Sequence, residues 1–336
     1  LKGDGNTGDF MAMMNGDYQG FRDQGGPQRS INFVTAHDGF CLLDLVGYDG
    51  KLNGQPWPFG PSDGGSDSND SWGSGGNQAL VRQRMRNFVV ALFLARGVPM
   101  LCSGDEFART QNGNNNPYNL NTIGMWNNWS AVATNAPTQV PVGVDGAAYH
   151  DTFGTAGSPA GVNPQLVFTT FLATLRRDHP GLRQRSYGDD ELGGDDVSYV
   201  YFQPDAADHP ANGDRALRLW IDGTAVGAAD LLVLINMADE PVRFGVPAGP
   251  ETVAWRRIID TATHFEAGYN CWSLEKSDVI AGDYVAAPWS IVVLSEGPPG
   301  SEQPEHSPDG PPASSMITEV ADVIVDTVRD WFRRKR

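Results

Sequence analysis

The stretch Ile31-Asn-Phe-Val-Thr-Ala-His-Asp-Gly39, INFVTAHDG, decides how the rest of the chain is read. Six residues rich in β-branched and aromatic side chains predict a short buried strand over 31–36, and the glycine after the polar pair marks a turn. A histidine and an aspartate therefore stand together where a strand ends. A second segment repeats the design: Val98-Pro-Met-Leu-Cys102 is short and apolar and stops at the polar cluster Ser103-Gly-Asp-Glu106.

Between the two lies a helix pattern. From about Gln78 to Arg96 the apolar positions Leu80, Val81, Met85, Phe88, Val89, Leu92 and Phe93 recur at three- and four-residue spacing. Gly97 is expected to close it as a left-handed cap. A second helix is expected from Asn163-Pro164, a capping residue followed by proline in the first turn. It carries Leu166, Val167, Phe171, Leu172 and Leu175 and stops before His179-Pro180. Strand, loop, helix, strand, loop, helix is the rhythm of a parallel α/β sheet. The connecting loops are long and rich in Gly, Ser, Asp and Asn, at 60–77 and 111–121. Structureless loops of that length in a compact protein are usually functional.

From about Tyr199 the rhythm changes to short strand-like segments: Tyr199–Gln203, Leu217–Ile221, Leu231–Asn236, Val242–Val246, Val253–Ile259 and Ser290–Leu294. These predict an antiparallel β-sandwich. Its tryptophans, Trp220, Trp255, Trp272 and Trp289, are expected in the core. Residues 297–315 are Pro-, Ser-, Gly- and Glu-rich and predict a disordered linker. Residues 316–336 predict an amphipathic helical tail, with Ile317, Val320, Val323, Ile324, Val328, Trp331 and Phe332 on one face and Arg333 to Arg336 at the end. Such a helix binds a partner or interface, or docks on its own domain.

Composition narrows the ligand class. With 336 residues the chain is long enough for two cored domains. A formal charge of −17 repels phosphate backbones and argues against nucleic acid as a partner. A neutral ligand such as a sugar fits better. Cys41, Cys102 and Cys271 are too few and too scattered for a disulfide framework or a zinc site, and Cys41 and Cys102, in or beside apolar runs, read as small buried hydrophobes. No metal cluster and no cofactor motif is evident. The longest uninterrupted apolar run, Phe88 to Ala95, is too short to cross a bilayer.

Carboxylates at strand ends suit glycoside hydrolysis, where one acid protonates the leaving oxygen and a second group answers the oxocarbenium charge. By spacing alone Asp38 and Glu106 form a candidate pair. The alternative is that both strand ends hold turn-capping acids, since Asp beside Gly is ordinary turn chemistry.

The motifs resemble those of a known family. INFVTAHDG resembles the fourth conserved region of the α-amylase superfamily, glycoside hydrolase family 13. WPFGPSDGGSDSNDSW (Trp57 to Trp72), GVPMLCSGDEFARTQ (Gly97 to Gln111) and GNNNPYNLN (Gly113 to Asn121) resemble isoamylase-type debranching enzymes, and the segments LLVLIN and Ile259-Asp260-Thr261 are similar too. The likeness covers roughly residues 1–296. It implies that 1–184 form the C-terminal part of a (β/α)8 TIM barrel, with 31–38 and 98–106 at the seventh and eighth strands, and that 185–296 form the C-terminal β-sandwich domain.

Further implications concern the site. Asp38 would be the third invariant catalytic carboxylate, holding sugar hydroxyls beside the cleaved bond, and His37 would hydrogen-bond the same sugar. Asp105 and Glu106 would then support the barrel rim. Trp57 and Tyr118 would stack on the glucan, while Phe59 packs its own loop. The nucleophilic Asp and the acid/base Glu lie upstream of Leu1 in the family pattern. Gly20-Phe-Arg-Asp23 is no substitute, because no apolar strand leads into it. The expected activity is retaining hydrolysis of α-1,6 branch linkages, and the expected partner is a branched α-glucan such as glycogen, amylopectin or limit dextrin. The chain alone is expected to be an inactive fragment. Another α-amylase-family activity, and a non-catalytic glucan-binding or structural remnant, stay open as alternatives.

Overall fold

The computed structural model describes residues 5–122, 124–127, 163–188, 191–248 and 253–298. The predicted tail helix over 316–336 lies outside the described residues, as does all of the predicted linker 297–315 except its first two residues.

The first half is α/β. Helices α1 (Thr7–Met14) and α2 (Tyr18–Phe21) lead to strand β1 (Ile31–Asn32). Helices α3 (Leu42–Gly47) and α4 (Gln78–Leu94) then lead to β2 (Val98–Pro99), and α5 (Pro164–Asp178) follows. β1 and β2 pair in parallel, Ile31 opposite Val98 and Asn32 opposite Pro99, so the crossover through α4 has the expected sense. The regular pairing is only two residues long, shorter than the predicted strands, because each chain turns into a polar tie at once. α5 starts as expected: the Asn163 side chain accepts from Leu166 N at 3.1 Å, with Pro164 next in the chain.

The end of α4 differs from expectation. The helix stops at Leu94, and Arg176 from α5 caps the exit, donating to Phe93 O in the last turn, to Ala95 O at 3.0 Å and to Gly97 O beyond it. Gly97 serves a different need. Its φ is +116°, and a Cβ there would lie 2.6 Å from Asn32 Nδ2 and 2.9 Å from Ser30 O. Glycine is required because the chain passes hard against β1 as it enters β2.

The second half holds β3 (Ser198–Phe202), β4 (Ala216–Asp222), β5 (Leu231–Asn236), β6 (Val242–Val246), β7 (Ala254–Asp260), β8 (Val279–Ile280), β9 (Gly282–Ala286) and β10 (Ser290–Gly297). A six-stranded sheet runs β3-β4-β5-β10-β7-β8, a two-stranded sheet pairs β6 with β9, and every pairing is antiparallel. Sequence reading missed β8 and β9, whose exposed, mixed residues carry little periodicity.

The large sheet is buried on both faces. Leu217, Leu219, Ile221, Val233, Ile235, Ile291 and Val293 join the core that includes Val89 and Phe93 of α4 and Phe168 and Leu172 of α5. Leu232, Leu234, Val292 and Leu294 point the other way, onto Phe244 and Val246 of the small sheet. This explains why all six residues of β5 are buried. A strand covered on both sides reads as a continuous apolar run, not an alternating one. Polar side chains of α4 complete the seam: Arg82 and Arg86 both reach Glu266 (2.9 and 3.0 Å), and Asn87 donates to Trp289 O at 2.6 Å.

The α/β half leaves one apolar face open. Val34 and Leu101 pack toward the core, whereas Ile31, Phe33, Val98 and Met100 are exposed (62, 56, 43 and 38%). The predicted full burial of the first strand is therefore realised on one side only.

Truncating the shared core at Leu219, which has no exposed surface, should cost about 2–5 kcal/mol. Urea unfolding of Leu219→Ala against the parent checks this. A loss under 1 kcal/mol would mean that the two halves do not share one core.

Candidate functional site

The strand-end turn is built from below. Thr35 is buried and donates its hydroxyl to Asp105 Oδ2, while Leu42 N donates to Asp105 Oδ1 at 2.9 Å. One carboxylate from the segment after β2 thus closes both ends of the turn after β1. Asp44 answers in the other direction: it lies in α3, after β1, and accepts from Thr110 Oγ1 and from Gln111 N at 2.8 Å, both after β2. Both carboxyls are almost fully buried, and burial pushes each from 3.8 up to about 6. Cys41 sits between them. Burial, with Asp44 and Asp105 beside it, pushes its thiol up, so it is an unreactive space-filler.

What this brace holds out is the polar pair. Gly39 takes φ +102° and donates its N–H to Asn115 O at 3.1 Å, reversing the chain. His37 and Asp38 project into solvent with side chains 89 and 81% exposed, and His37 Nε2 lies 3.3 Å from Asp38 Oδ2. Glu106, its neighbour in the spacing argument, folds back to accept from Gly104 N at 2.7 Å. Of the four acids at the two strand ends, Asp38 alone makes no described bond to the backbone.

The two long loops lock onto each other. Asn53 donates to Asn115 Oδ1 at 3.0 Å and accepts from Asn115 N at 3.0 Å. Asn114 donates to Phe59 O at 2.7 Å, and Asn115 to Ser66 O at 2.8 Å. Lys51 Nζ gathers Gly64 O, Gly65 O and an Asp67 carboxylate oxygen at 2.8–3.0 Å. Asn114 and Asn115 are buried and hold the two loops together. Phe59 is fully buried with Met125, as its loop-packing reading requires. Tyr48 is tied down too, donating to Asn112 Oδ1 at 3.0 Å.

Trp57 and Tyr118 end on the outside of this lattice, 53 and 91% exposed. Among the described interactions neither touches the other, nor the His37–Asp38 pair. Asp44 escaped sequence reading, and Asp105 was read only as support for the barrel rim. Their signal, an acid inside or shortly after an apolar run, looks the same as a turn cap. Among the described residues no group of three His, Cys, Asp or Glu side chains could hold a metal ion.

Comparison with known proteins supplies the context. No family model matches the chain. An isoamylase of Flavobacterium sp is 38% identical over 265 residues, covering 76% of this chain and 30% of that protein. A glycogen operon protein GlgX homolog of Mycobacterium tuberculosis is 30% identical over 284 residues, covering 76% and 35%. The chain therefore spans about a third of the length of these relatives. Among solved structures, the type I pullulanase of Bacillus subtilis in complex with maltose superposes with a TM-score of 0.54 at 18% identity, over 88% of this chain and 32% of that one. The shared architecture is a mixed α/β part followed by antiparallel sheets. Over the part that aligns, the chain belongs to the isoamylase-type sequences of glycoside hydrolase family 13.

The raised carboxyls make a pH prediction. Each folded-state value lies above the unfolded one, so the folded state holds these protons more tightly and stability falls as pH rises from about 4 to about 6. At roughly 1.4 kcal/mol per pH unit, the effect is about 3 kcal/mol for each group. Asp105→Asn should therefore gain stability relative to the parent across that window and hold a constant difference above it. Urea unfolding at pH 4.5 and pH 7 reads the difference, and a pH-independent one would contradict the assignment.

Proposed function

We propose that this chain supplies the third carboxylate and part of the glucan-binding face of an α-1,6-debranching glycoside hydrolase. The observation that carries the reading is the contrast among the strand-end acids. Asp44, Asp105 and Glu106 are engaged by the protein itself, whereas Asp38 is held out to solvent beside His37.

On this reading Asp38 accepts hydrogen bonds from hydroxyls of the sugar at the cleaved bond. Those bonds strengthen as the ring flattens toward the oxocarbenium ion. His37 holds the same sugar through a ring nitrogen. Trp57 and Tyr118 offer aromatic faces to sugar C–H surfaces along the chain. The substrate is a branched α-glucan of the glycogen or amylopectin kind. The nucleophile and proton donor belong to the part of the family pattern that the matched third of the relatives does not include.

Two further features support the barrel reading of residues 1–184, with 185–296 as the β-sandwich domain. β1 and β2 are parallel and joined through a helix, as consecutive barrel strands are. The exposed Ile31, Phe33, Val98 and Met100 form a bulky apolar row of the kind that barrel interiors bury.

The test joins this chain to its upstream coding sequence and measures release of linear maltodextrins from glycogen. Asp38→Asn should lower kcat at least about 100-fold, in keeping with loss of an interaction made mainly in the transition state. Near-parental turnover would overturn the role given to Asp38.

A further inference from the structure

Three separate parts of the site meet at one side chain. Asn115 lies in the loop after β2 and is 2% exposed. Its carbonyl accepts from Gly39 N at 3.1 Å, at the end of the His37–Asp38 turn. Its N–H donates to Asn53 Oδ1, and its side-chain oxygen accepts from Asn53 Nδ2, both at 3.0 Å. The two remaining N–H bonds go to Ser66 O at 2.8 Å and Asn69 Oδ1 at 2.7 Å. Every polar group of the residue is thus engaged with protein. Asn114 and Asn116 grip the same loop, through Phe59 O, Ser62 Oγ and Asp63 O, but among the described bonds neither reaches the turn.

Asn53 in turn is the base of the segment that carries Trp57. Its carbonyl accepts from Ser62 N at 2.9 Å, and Phe59 N donates to Pro56 O at 3.1 Å. A Cβ on Gly60 would lie 2.4 Å from Gln55 O, so the backbone is pressed together there. Residues 53–62 therefore close on themselves, with Phe59 buried and Trp57 left 53% exposed. Two hydrogen-bonded steps lead from the turn to this ring: Gly39 to Asn115, and Asn115 to Asn53.

The fit around Asn115 is tight. Gly65 has φ +75°, and a Cβ there would lie 2.2 Å from Asn115 Oδ1. Only glycine lets the loop lie that close to the amide. An amide is also what the position requires, because the side chain must donate twice and accept once. A carboxylate of the same shape could accept but not donate, and would leave Ser66 O and Asn69 Oδ1 unanswered.

We propose that Asn115 is a positioning residue for the glucan site. It fixes the ring that carries Trp57 relative to Asp38, so that a glucan seated on the Trp57 indole has its cleaved linkage beside Asp38. Asn115 itself is buried and touches no sugar. The proposal deepens the function proposed above and rests on it. Misplacement on the order of 1 Å can cost about 100-fold in rate, so such a link matters beyond its contribution to folding.

The experiment is a double-mutant cycle on glycogen debranching, with the chain joined to its upstream coding sequence. The forms compared are the parent, Asn115→Asp, Trp57→Ala and the two combined, with Asp38→Asn as control. Trp57→Ala should lower kcat/KM at least tenfold in the parent but less than threefold once Asn115→Asp is present, because the ring is then no longer held in register. A residue that served folding alone would lower the amount of active enzyme and leave the Trp57 factor unchanged. If Asn115→Asp does not fold, Asn69→Ala, which removes one bond at a half-buried site, takes its place in the cycle with the same expectation. Equal Trp57 factors in both backgrounds, or parental kinetics in Asn115→Asp, would overturn the positioning role while a crippled Asp38→Asn left the debranching reading standing. Near-parental turnover in Asp38→Asn would overturn that reading, and the positioning role with it.

Discussion

Two buried carboxylates, exchanged between neighbouring strand ends, are the constraint on which the α/β half depends. Asp105 reaches from the second strand end to Thr35 and Leu42 beyond the first, and Asp44 reaches back to Thr110 and Gln111. β1 and β2 share only two residues of regular pairing, which is too little to fix the direction of the turn that carries His37 and Asp38. The reciprocal brace does that work. It costs desolvation, visible in the raised proton affinity of both groups, and the cost is offset by four hydrogen bonds in a dry site.

The same arrangement shows where the sequence was legible and where it was not. Element types came through wherever periodicity was strong: α4 and α5 lie where apolar spacing placed them, β3 to β7 fall within a residue of their predicted spans, and β10 starts where expected but runs three residues further. Asn163 was readable because a capping side chain acts within three residues of itself. Asp44 and Asp105 were not, because their partners lie 63 to 70 residues away and no local pattern announces them. The asparagine lattice was illegible for a related reason. Composition told of polar loops, but only tertiary structure shows that Asn114 and Asn115 turn inward to each loop's backbone.

Packing links the two halves. The six-stranded sheet gives one face to α4 and α5 and the other to β6 and β9, so the β part is a structural continuation of the α/β part. Buried charges on α4 strengthen the seam, with Arg82 and Arg86 converging on Glu266. Against this double-sided core, the open row of Ile31, Phe33, Val98 and Met100 stands out as exposed apolar surface.

The account stands on the claim that the braced turn and the interlocked loops present one face to an α-glucan. The most direct test is an amide NMR titration of the whole chain with an α-1,6-branched maltooligosaccharide. Signals of His37, Asp38 and Gly39 and the indole of Trp57 should shift saturably with a common dissociation constant, while the amides of Leu42 and Gln111 stay in place. Saturable shifts that leave residues 37–39 and Trp57 unmoved would contradict it.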